Sequence, residues 1–446
     1  MKNNYKLNKY VVFLKRENYA VVFNTLNGTM LYFNNVEHIC ILKKIFDNNY
    51  IDSDIGIESE LIQKLISSQV LIEKNIDETE IALGMFMNRF KNNTSLRLMI
   101  YVTDDCNFNC VYCPQVHQPI YMTMSTMKSL INAVDNLLST KPYDSLVISW
   151  FGGEPLLNLP IIRMGMDGFI SLANKYNINI HGGMTTNGYL LTKEIFLELL
   201  SLEISEFQIT LDGNEDTHNK NRLLKGGLPS WTKIWNNLIV MKEVSSEFLI
   251  NIRINVNLDN VYAIPDFVKM VKNTFDNRFV TSIQPIVNMG GQSPQTYTKY
   301  CSLLESQLIQ LELYNCMSKN GNEDIFLENI IQPFGMMCNC SDPNYYVIRQ
   351  DGEICKCELL VYEGINEFGN VNDETLEIKD KKFLNATIPS VNHECLNCKM
   401  YPMCFGLTCP YRRINKNDCI TKDTFLLEEY IDTISLKYIE RLKNDL

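Results

Sequence analysis

Three things are scarce in this sequence, and each scarcity excludes something. No apolar run reaches the roughly 18 residues that a membrane-crossing helix needs, which argues against a membrane span. The opening residues, Met1 to Tyr10, lack the apolar stretch and small-residue cleavage site of a secretory signal, so the cytoplasm is the expected compartment. Positive charge is short as well. There are 41 Lys and Arg against 52 Asp and Glu, a net charge of −11, which argues against nucleic acid as a partner. The remainder, 46% apolar and 21% charged, is the composition of a soluble globular protein, and 446 residues call for two or three domains.

What the chain does have is cysteine, 15 in all. In a reducing compartment these read as metal ligands before disulfides. Three of them stand in Thr103-Asp-Asp-Cys-Asn-Phe-Asn-Cys-Val-Tyr-Cys-Pro114, a C-x3-C-x2-C triplet of Cys106, Cys110 and Cys113. Thiolates so spaced can hold three corners of a 4Fe–4S cube on one loop and leave the fourth iron open to a ligand. A zinc knuckle or a structural cluster is the competing reading of the triplet alone.

The hydrophobic pattern divides the chain. Residues 1–90 read as a small winged-helix-like domain with short strands at Tyr10–Phe13, Tyr19–Phe23 and Thr29–Phe33, the last after the Asn27-Gly28 turn. Helices follow at Val36–Phe46 and Ile57–Ser67, then an extended Gln69–Ile72 and a charged helix near Glu78–Lys91. Residues 95–290 alternate strands with helices. The strands are Leu96–Thr103, Ser145–Phe151, Ile178–Thr185, Glu206–Leu211, Phe248–Asn255 and Phe279–Ile286. That pattern implies an α/β fold with a parallel sheet, a partial (β/α)6 barrel, whose chemistry gathers at the carboxyl ends of its strands. A helical connector occupies 291–335, a cysteine-rich region 336–420, and a final amphipathic helix, Phe425–Leu442, lies within 421–446. The cysteine-rich region is poor in apolar periodicity, so metal ligation is expected to hold it together.

The triplet, with Tyr112 before its third cysteine, resembles the signature of radical S-adenosylmethionine (SAM) enzymes. Further motifs extend the resemblance: Trp150-Phe-Gly-Gly-Glu-Pro155, Thr185-Thr-Asn-Gly188, Ile209-Thr-Leu-Asp-Gly213 followed by His218 and Arg222, and Arg253 in Ile252-Arg-Ile-Asn255. It implies a cluster on Cys106, Cys110 and Cys113 that cleaves SAM reductively to a 5′-deoxyadenosyl radical. Tyr112, Gly152, Gly153, Glu154, Asn187, Thr210, Asp212 and Arg253 would surround the cofactor, with Glu154 pairing its ammonium and Arg253 its carboxylate. Adjacent glycines let backbone approach a ligand without a Cβ clash. His218 and Arg222 read as loop-ordering residues, and Met164, Met166 and Met184 as packing.

The C-terminal cysteines resemble the SPASM extension, which binds two auxiliary 4Fe–4S clusters. Carried over by position, Cys395, Cys398, Cys404 and Cys419 would hold the outer cluster, and Cys340, Cys357 and Cys409 the inner one. Phe405–Thr408 makes the last central spacing four residues where that family has three. The fourth inner ligand stays open among Cys338, Cys355 and none. A zinc ribbon would use only Cys395, Cys398 and Cys404. Cys40 reads as a small core residue in the apolar stripe of an N-terminal helix, and Cys301 and Cys316 as inert. Glu358, beside Cys357, is a weak candidate for a catalytic base, a solvated glutamate being the favoured reading.

Residues 1–90 are similar to the precursor-recognition domains of enzymes that mature ribosomally made peptides, which take a leader peptide as an added strand. The resemblance therefore implies a peptide maturase that installs a thioether, C–C or C–O crosslink and draws electrons from a flavodoxin- or ferredoxin-type reductant. A sulfatase-maturing, formylglycine-generating enzyme is the alternative, although about a hundred residues precede the triplet here. An iron–sulfur or zinc scaffold is the non-enzyme alternative, and it leaves Gly152-Gly153-Glu154 without a purpose.

Overall fold

The computed structural model describes residues 4–48, 60–288, 297–319, 329–360, 363–415, 419 and 425–444. The chain divides into two compact units. Met1–Asn92, Glu323–Ser341 and Asn385–Leu446 form the first, Asn93–Asn322 and Asp342–Leu384 the second.

In the first unit, β1 (Tyr5–Leu7), β2 (Val11–Lys15), β3 (Ala20–Asn24) and β4 (Thr29–Phe33) precede α1 (Val36–Asn48) and α2 (Glu60–Ser67). Then come β5 (Leu71–Glu73) and α3 (Glu78–Lys91). β2, β3 and β4 form an antiparallel meander, and β1 pairs with β5. Val11, Val22 and Phe33 from the sheet meet Ile39, Leu42, Ile45 and Leu65 from the helices, a core spaced as the alternating and 3–4 patterns require. The strands and helices lie where the sequence places them, while residues 57–59 of the second expected helix fall outside the described residues. β1 is the addition: three residues are too short to show a period.

The cysteine-rich segment of this unit carries more apolar burial than its sequence suggests. Tyr401, Phe405 and Leu407 are buried with Tyr10, Leu26 and Phe86 in one cluster. Tyr10 Oη donates to Leu396 O at 3.0 Å, and Thr25 Oγ1 to Lys399 O at 2.5 Å. Its helices, His393–Leu396 and Tyr401–Cys404, are single turns, so no periodicity could announce them. The final helix, Leu427–Asn444, packs on the meander, with Tyr430, Ile431 and Ile434 buried. Asp432 receives Arg16 Nε at 3.0 Å and Tyr19 Oη at 2.7 Å.

The second unit is built on an eight-stranded sheet. Its elements are β6 (Ser95–Tyr101), β7 (Phe108–Cys110), α4 (Met124–Thr140), β8 (Ser145–Phe151), α5 (Leu159–Tyr176), β9 (Asn179–Thr186) and α6 (Lys193–Ser201). After these come β10 (Ile204–Thr210), α7 (Glu215–Asn221), β11 (Arg222–Leu224), α8 (Trp231–Lys242), β12 (Leu249–Val256) and α9 (Ile264–Thr274). β13 (Phe279–Pro285), α10 (Leu303–Lys319), β14 (Tyr345–Ile348) and β15 (Ile354–Cys355) complete it. The sheet order is β13-β12-β10-β9-β8-β6-β14-β15, and the six strands from β6 to β13 in this sheet are mutually parallel. These are the six strands the sequence predicts.

β14 and β15 extend the sheet beyond β6, β14 in parallel register from Tyr345↔Arg97 to Ile348↔Ile100 and β15 antiparallel to it. Backbone pairing thus groups Asp342–Leu384 with the barrel strands, whereas the sequence reading puts it with the C-terminal cysteines. Among the described residues, Pro155–Tyr176 is the one helical stretch long and apolar enough to cross a membrane. Ile161, Ile162, Met166 and Phe169 bury it against the sheet.

A parallel sheet covered on both faces reads as continuous apolar runs. These strands alternate instead. Leu146, Ile148 and Trp150 of β8 and Ile250, Ile252 and Ile254 of β12 enter the core, while Thr185, Gln208, Arg253 and Gln284 line a cavity. One face serves stability and the other is free for a ligand. Ile252→Ala should destabilise this unit by about 2–5 kcal/mol, seen as a lower urea midpoint for its unfolding transition.

Candidate active site

The loop after β6 is joined backbone to backbone to the loop after β8. Gly153 N–H donates to Thr103 O at 2.9 Å and Glu154 N–H to Asp105 O at 2.8 Å. A Cβ on Gly153 would lie 2.1 Å from Asp105 O, and one on Gly152, at φ +128°, 2.3 Å from Thr103 O. Only glycine permits this approach. Asp105 then accepts from Cys106 N at 2.9 Å and pairs with Lys225 Nζ at 2.6 Å. The middle of the cysteine loop is β7, paired antiparallel with β11 so that Cys110 opposes Arg222.

Held in this way, Cys106, Cys110 and Cys113 line one cavity of about 580 Å³, together with Gly152, Gly153, Asn187, Thr210, Arg222 and Arg253. Burial pushes the Cys106 and Cys110 thiols up to about 12 and raises Cys113 as well. Among the described residues no group of three or more His, Cys, Asp or Glu is placed to hold a single metal ion.

Tyr112 is the hub of the wall. Its hydroxyl donates to Asp212 Oδ2 at 2.7 Å and accepts from Arg222 Nη1 at 3.0 Å and Asn255 Nδ2 at 2.9 Å. One oxygen thus joins the cysteine loop to the ends of β10, β11 and β12. Burial raises the Asp212 carboxyl, opposed first by the Arg222 guanidinium. Asp212 is fully buried and meets the wall through Tyr112.

Glu154 is fully buried and is not among the cavity-lining residues. Its oxygens accept from Asn187 N–H at 2.8 Å, Thr186 Oγ1 at 2.8 Å and Leu156 N–H at 3.1 Å. Burial raises its carboxyl, opposed by these bonds. The side chain therefore ties β8 to β9, and what this motif presents to the cavity is the pair of glycines. Asn187 Nδ2 donates to Asn107 Oδ1 at 2.7 Å, which steadies the cysteine loop from β9.

His218 orders its loop, as expected: Nδ1 accepts from Asp212 N–H at 3.3 Å and Nε2 lies 3.0 Å from Ser230 Oγ. Burial holds its imidazole well below the usual range. Arg222, which the sequence groups with it, lines the cavity instead. Glu358 also lines the cavity, where desolvation raises its carboxyl and the Arg253 guanidinium is the first opposing influence. Solvated glutamate was the favoured expectation, and the residue is exposed.

His117 escapes a reading of motifs. It lines the cavity with Nε2 3.5 Å from Cys113 Sγ and Nδ1 3.2 Å from Asp104 O. A histidine four residues after the last cysteine was the available signal. Gln208 and Gln284 were legible only as the polar alternates of their strands.

Residues 100–268 match the Radical SAM superfamily. That stretch is a radical SAM domain. The chain is 25% identical over 362 residues to a cysteine-type anaerobic sulfatase-maturating enzyme of Clostridium perfringens, covering 73% of this chain and 91% of that protein. Its fold is similar to that of native anSMEcpe with bound AdoMet and Cp18Cys peptide, with a TM-score of 0.60, 21% identity and 78% and 99% of the two chains covered. It is also similar to Streptococcus suis SuiB bound to precursor peptide SuiA, with a TM-score of 0.54, 14% identity and 92% and 97% covered.

A radical SAM domain implies a 4Fe–4S cluster and SAM. The cavity fits them: three thiols face one volume beside a wall of bare glycine backbone, with a buried guanidinium in reach. Ligation would require the thiols to lose their protons.

The remaining cysteines fall in both units. In the first, Cys338 and Cys340 have their sulfurs 3.4 Å apart. Cys404 is pushed up to about 12 by burial, with Cys398, Cys419 and Cys395 as its charged neighbours, so these four lie together. Cys409 belongs to the same unit. In the second, Cys357 N–H and Lys356 N–H both donate to Asn366 Oδ1, at 3.0 and 2.9 Å. Cys355 is buried in β15 among Tyr101, Tyr345 and Val347, a packing position. Cys301 is buried in the barrel core and Cys316 is half-buried, whereas Cys40 is exposed rather than in the core, the buried face of its helix being Ile39, Leu42 and Ile45.

Tyr112→Phe removes the oxygen shared by three buried partners. It should cost about 1–3 kcal/mol in thermal or urea denaturation.

Proposed function

We propose that this chain is a radical SAM peptide maturase. One observation carries the reading: the three cysteines, the glycine wall and Glu358 line a single cavity. When loaded, the cluster and SAM supply a 5′-deoxyadenosyl radical able to take hydrogen from a peptide carbon. The chain's own part is to place the reacting groups and exclude water. Cys106, Cys110 and Cys113 would hold the cluster. Gly152 and Gly153 admit the cofactor, while Asn187, Thr210 and Arg253 present amide, hydroxyl and guanidinium to it. Tyr112 fixes the loop, with Asp212 behind it. Glu358, which lines the same cavity, is suited to take the proton released as the peptide product forms.

The first hundred residues favour a precursor peptide over a folded sulfatase chain. SuiB bound to its precursor covers 92% of this chain, whereas the sulfatase-maturating structure covers 78%. A meander with two helices offers strand edges to an extended leader. The outer cluster would sit on Cys395, Cys398, Cys404 and Cys419, and Cys338, Cys340 and Cys409 would serve the inner one. Such clusters would accept the second electron as a thioether, C–C or C–O crosslink closes, and a flavodoxin- or ferredoxin-type protein would supply the first. Formylglycine generation is the second reading, favoured by the curated relative and by an acid at Glu358.

Co-expression with the short open reading frame beside this gene tests the reading. A crosslink changes the peptide mass by loss of hydrogen, and the change should vanish when Cys106, Cys110 and Cys113 are all Ala. Core peptide without its leader should react at least tenfold more slowly. Modification independent of the leader, or a formylglycine product, would overturn the maturase reading. Truncating the substrate is preferable to truncating the enzyme, because residues 1–92 share a core with Tyr401 and Phe405. Glu358→Gln should lower peptide product about tenfold or more while 5′-deoxyadenosine release from SAM continues.

A further inference from the structure

We infer that Arg222 is a charged hydrogen-bond partner of the cluster at its Cys110 corner and that it raises the reduction potential there. The inference rests on the proposed ligation by Cys106, Cys110 and Cys113.

The register of the β7–β11 ribbon carries the argument. Arg222 directly opposes Cys110, and Leu224 opposes Phe108. Opposed residues of an antiparallel pair project to the same face with Cβ atoms about 4.5–5.5 Å apart. The Arg222 stem therefore lies alongside the Cys110 side chain. Its guanidinium is confined on both sides: it sits 5.6 Å from the Phe108 ring centroid, and Nη1 donates to Tyr112 Oη at 3.0 Å. Phe108 and Tyr112 are the residues two before and two after Cys110, so the cation is centred on that cysteine.

One donor is left over. Arg222 is 8% exposed, and its Nε is buried with no hydrogen-bond partner among the described residues. A buried donor of a charged group without an acceptor is costly. The neighbouring charged groups have hydrogen-bond partners: Lys225 pairs with Asp105, Arg253 Nε donates to Asn255 Oδ1, and Asp212 receives Tyr112. If Arg222 served only to anchor Tyr112, Nη1 would suffice. A ligating thiolate beside Nε supplies the missing acceptor, and charge-assisted bonds are the stronger kind. Hydrogen bonds to sulfur and net charge are the levers that set cluster potentials. Reduction adds negative charge, so a fixed cation beside the sulfur favours the reduced state.

The test uses full-length reconstituted enzyme without SAM or peptide. The cluster's midpoint is followed by EPR in a redox titration, and its signal is assigned by its loss in Cys106→Ala. Arg222→Gln should shift the midpoint to a more negative potential. Arg222→Lys, which keeps the charge without the fixed fork, should shift it in the same direction by less. An unmoved midpoint in Arg222→Gln overturns the inference, including the case where only SAM affinity falls, since the partner is then the cofactor's carboxylate. Equal shifts in Gln and Lys overturn it too, because loop displacement then explains both. Should Arg222→Gln fail to hold iron, Arg222→Lys decides alone: a negative shift supports, an unmoved midpoint refutes. Iron analysis of the wild type, done first, reports separately on the ligation reading.

Discussion

The site depends on a seam of backbone. Thr103 to Asp105 runs so close to Gly152 to Glu154 that two N–H groups bond directly across and no Cβ fits between. The seam sets where the cysteine loop leaves the sheet, and hence where its thiols point. Behind it, Glu154 spends a buried carboxylate on the backbone and hydroxyl of β9. A buried acid is ordinarily a liability, and here three donors offset it. Three strand ends are thus locked before any ligand arrives, which is the preorganisation that radical chemistry requires of its surroundings.

The sheet divides its labour by alternation. Odd-looking polar residues within parallel strands, Gln208, Arg253 and Gln284 among them, would weaken a sheet buried on both faces. Here they mark the side on which the protein does not pack against itself. The same alternation allows the extra strand β14 to join at Arg97 to Ile100 without disturbing the helices outside. The segment bearing Cys357 and Glu358 follows directly from that addition. Edge pairing thus brings Glu358 to the cavity that the cysteine triplet lines.

Much of this was legible beforehand. The six barrel strands, the meander and the long helices announce themselves by period, and the cysteine triplet and Gly152-Gly153 by spacing. The residues that escaped share a physical cause, namely that their partners are far away in sequence. Tyr112 is readable as an aromatic beside a cysteine, but its link to Arg222 and Asn255 spans more than a hundred residues. Glu154 reads as a ligand-pairing acid until Thr186 and Asn187 are seen to occupy it. Single-turn helices such as Tyr401–Cys404 are shorter than any pattern that could predict them, so the aromatic core around Phe405 was invisible.

The docking of Leu427–Asn444 on the N-terminal meander has a consequence for biogenesis. The strands are covered by a helix that leaves the ribosome long after them, with Arg16 and Tyr19 waiting for Asp432. The barrel strands between them emerge earlier than that helix and can begin pairing while the meander still has one face uncovered. The meander therefore completes its packing only after that helix emerges, and its strands need shielding from wrong partners until then.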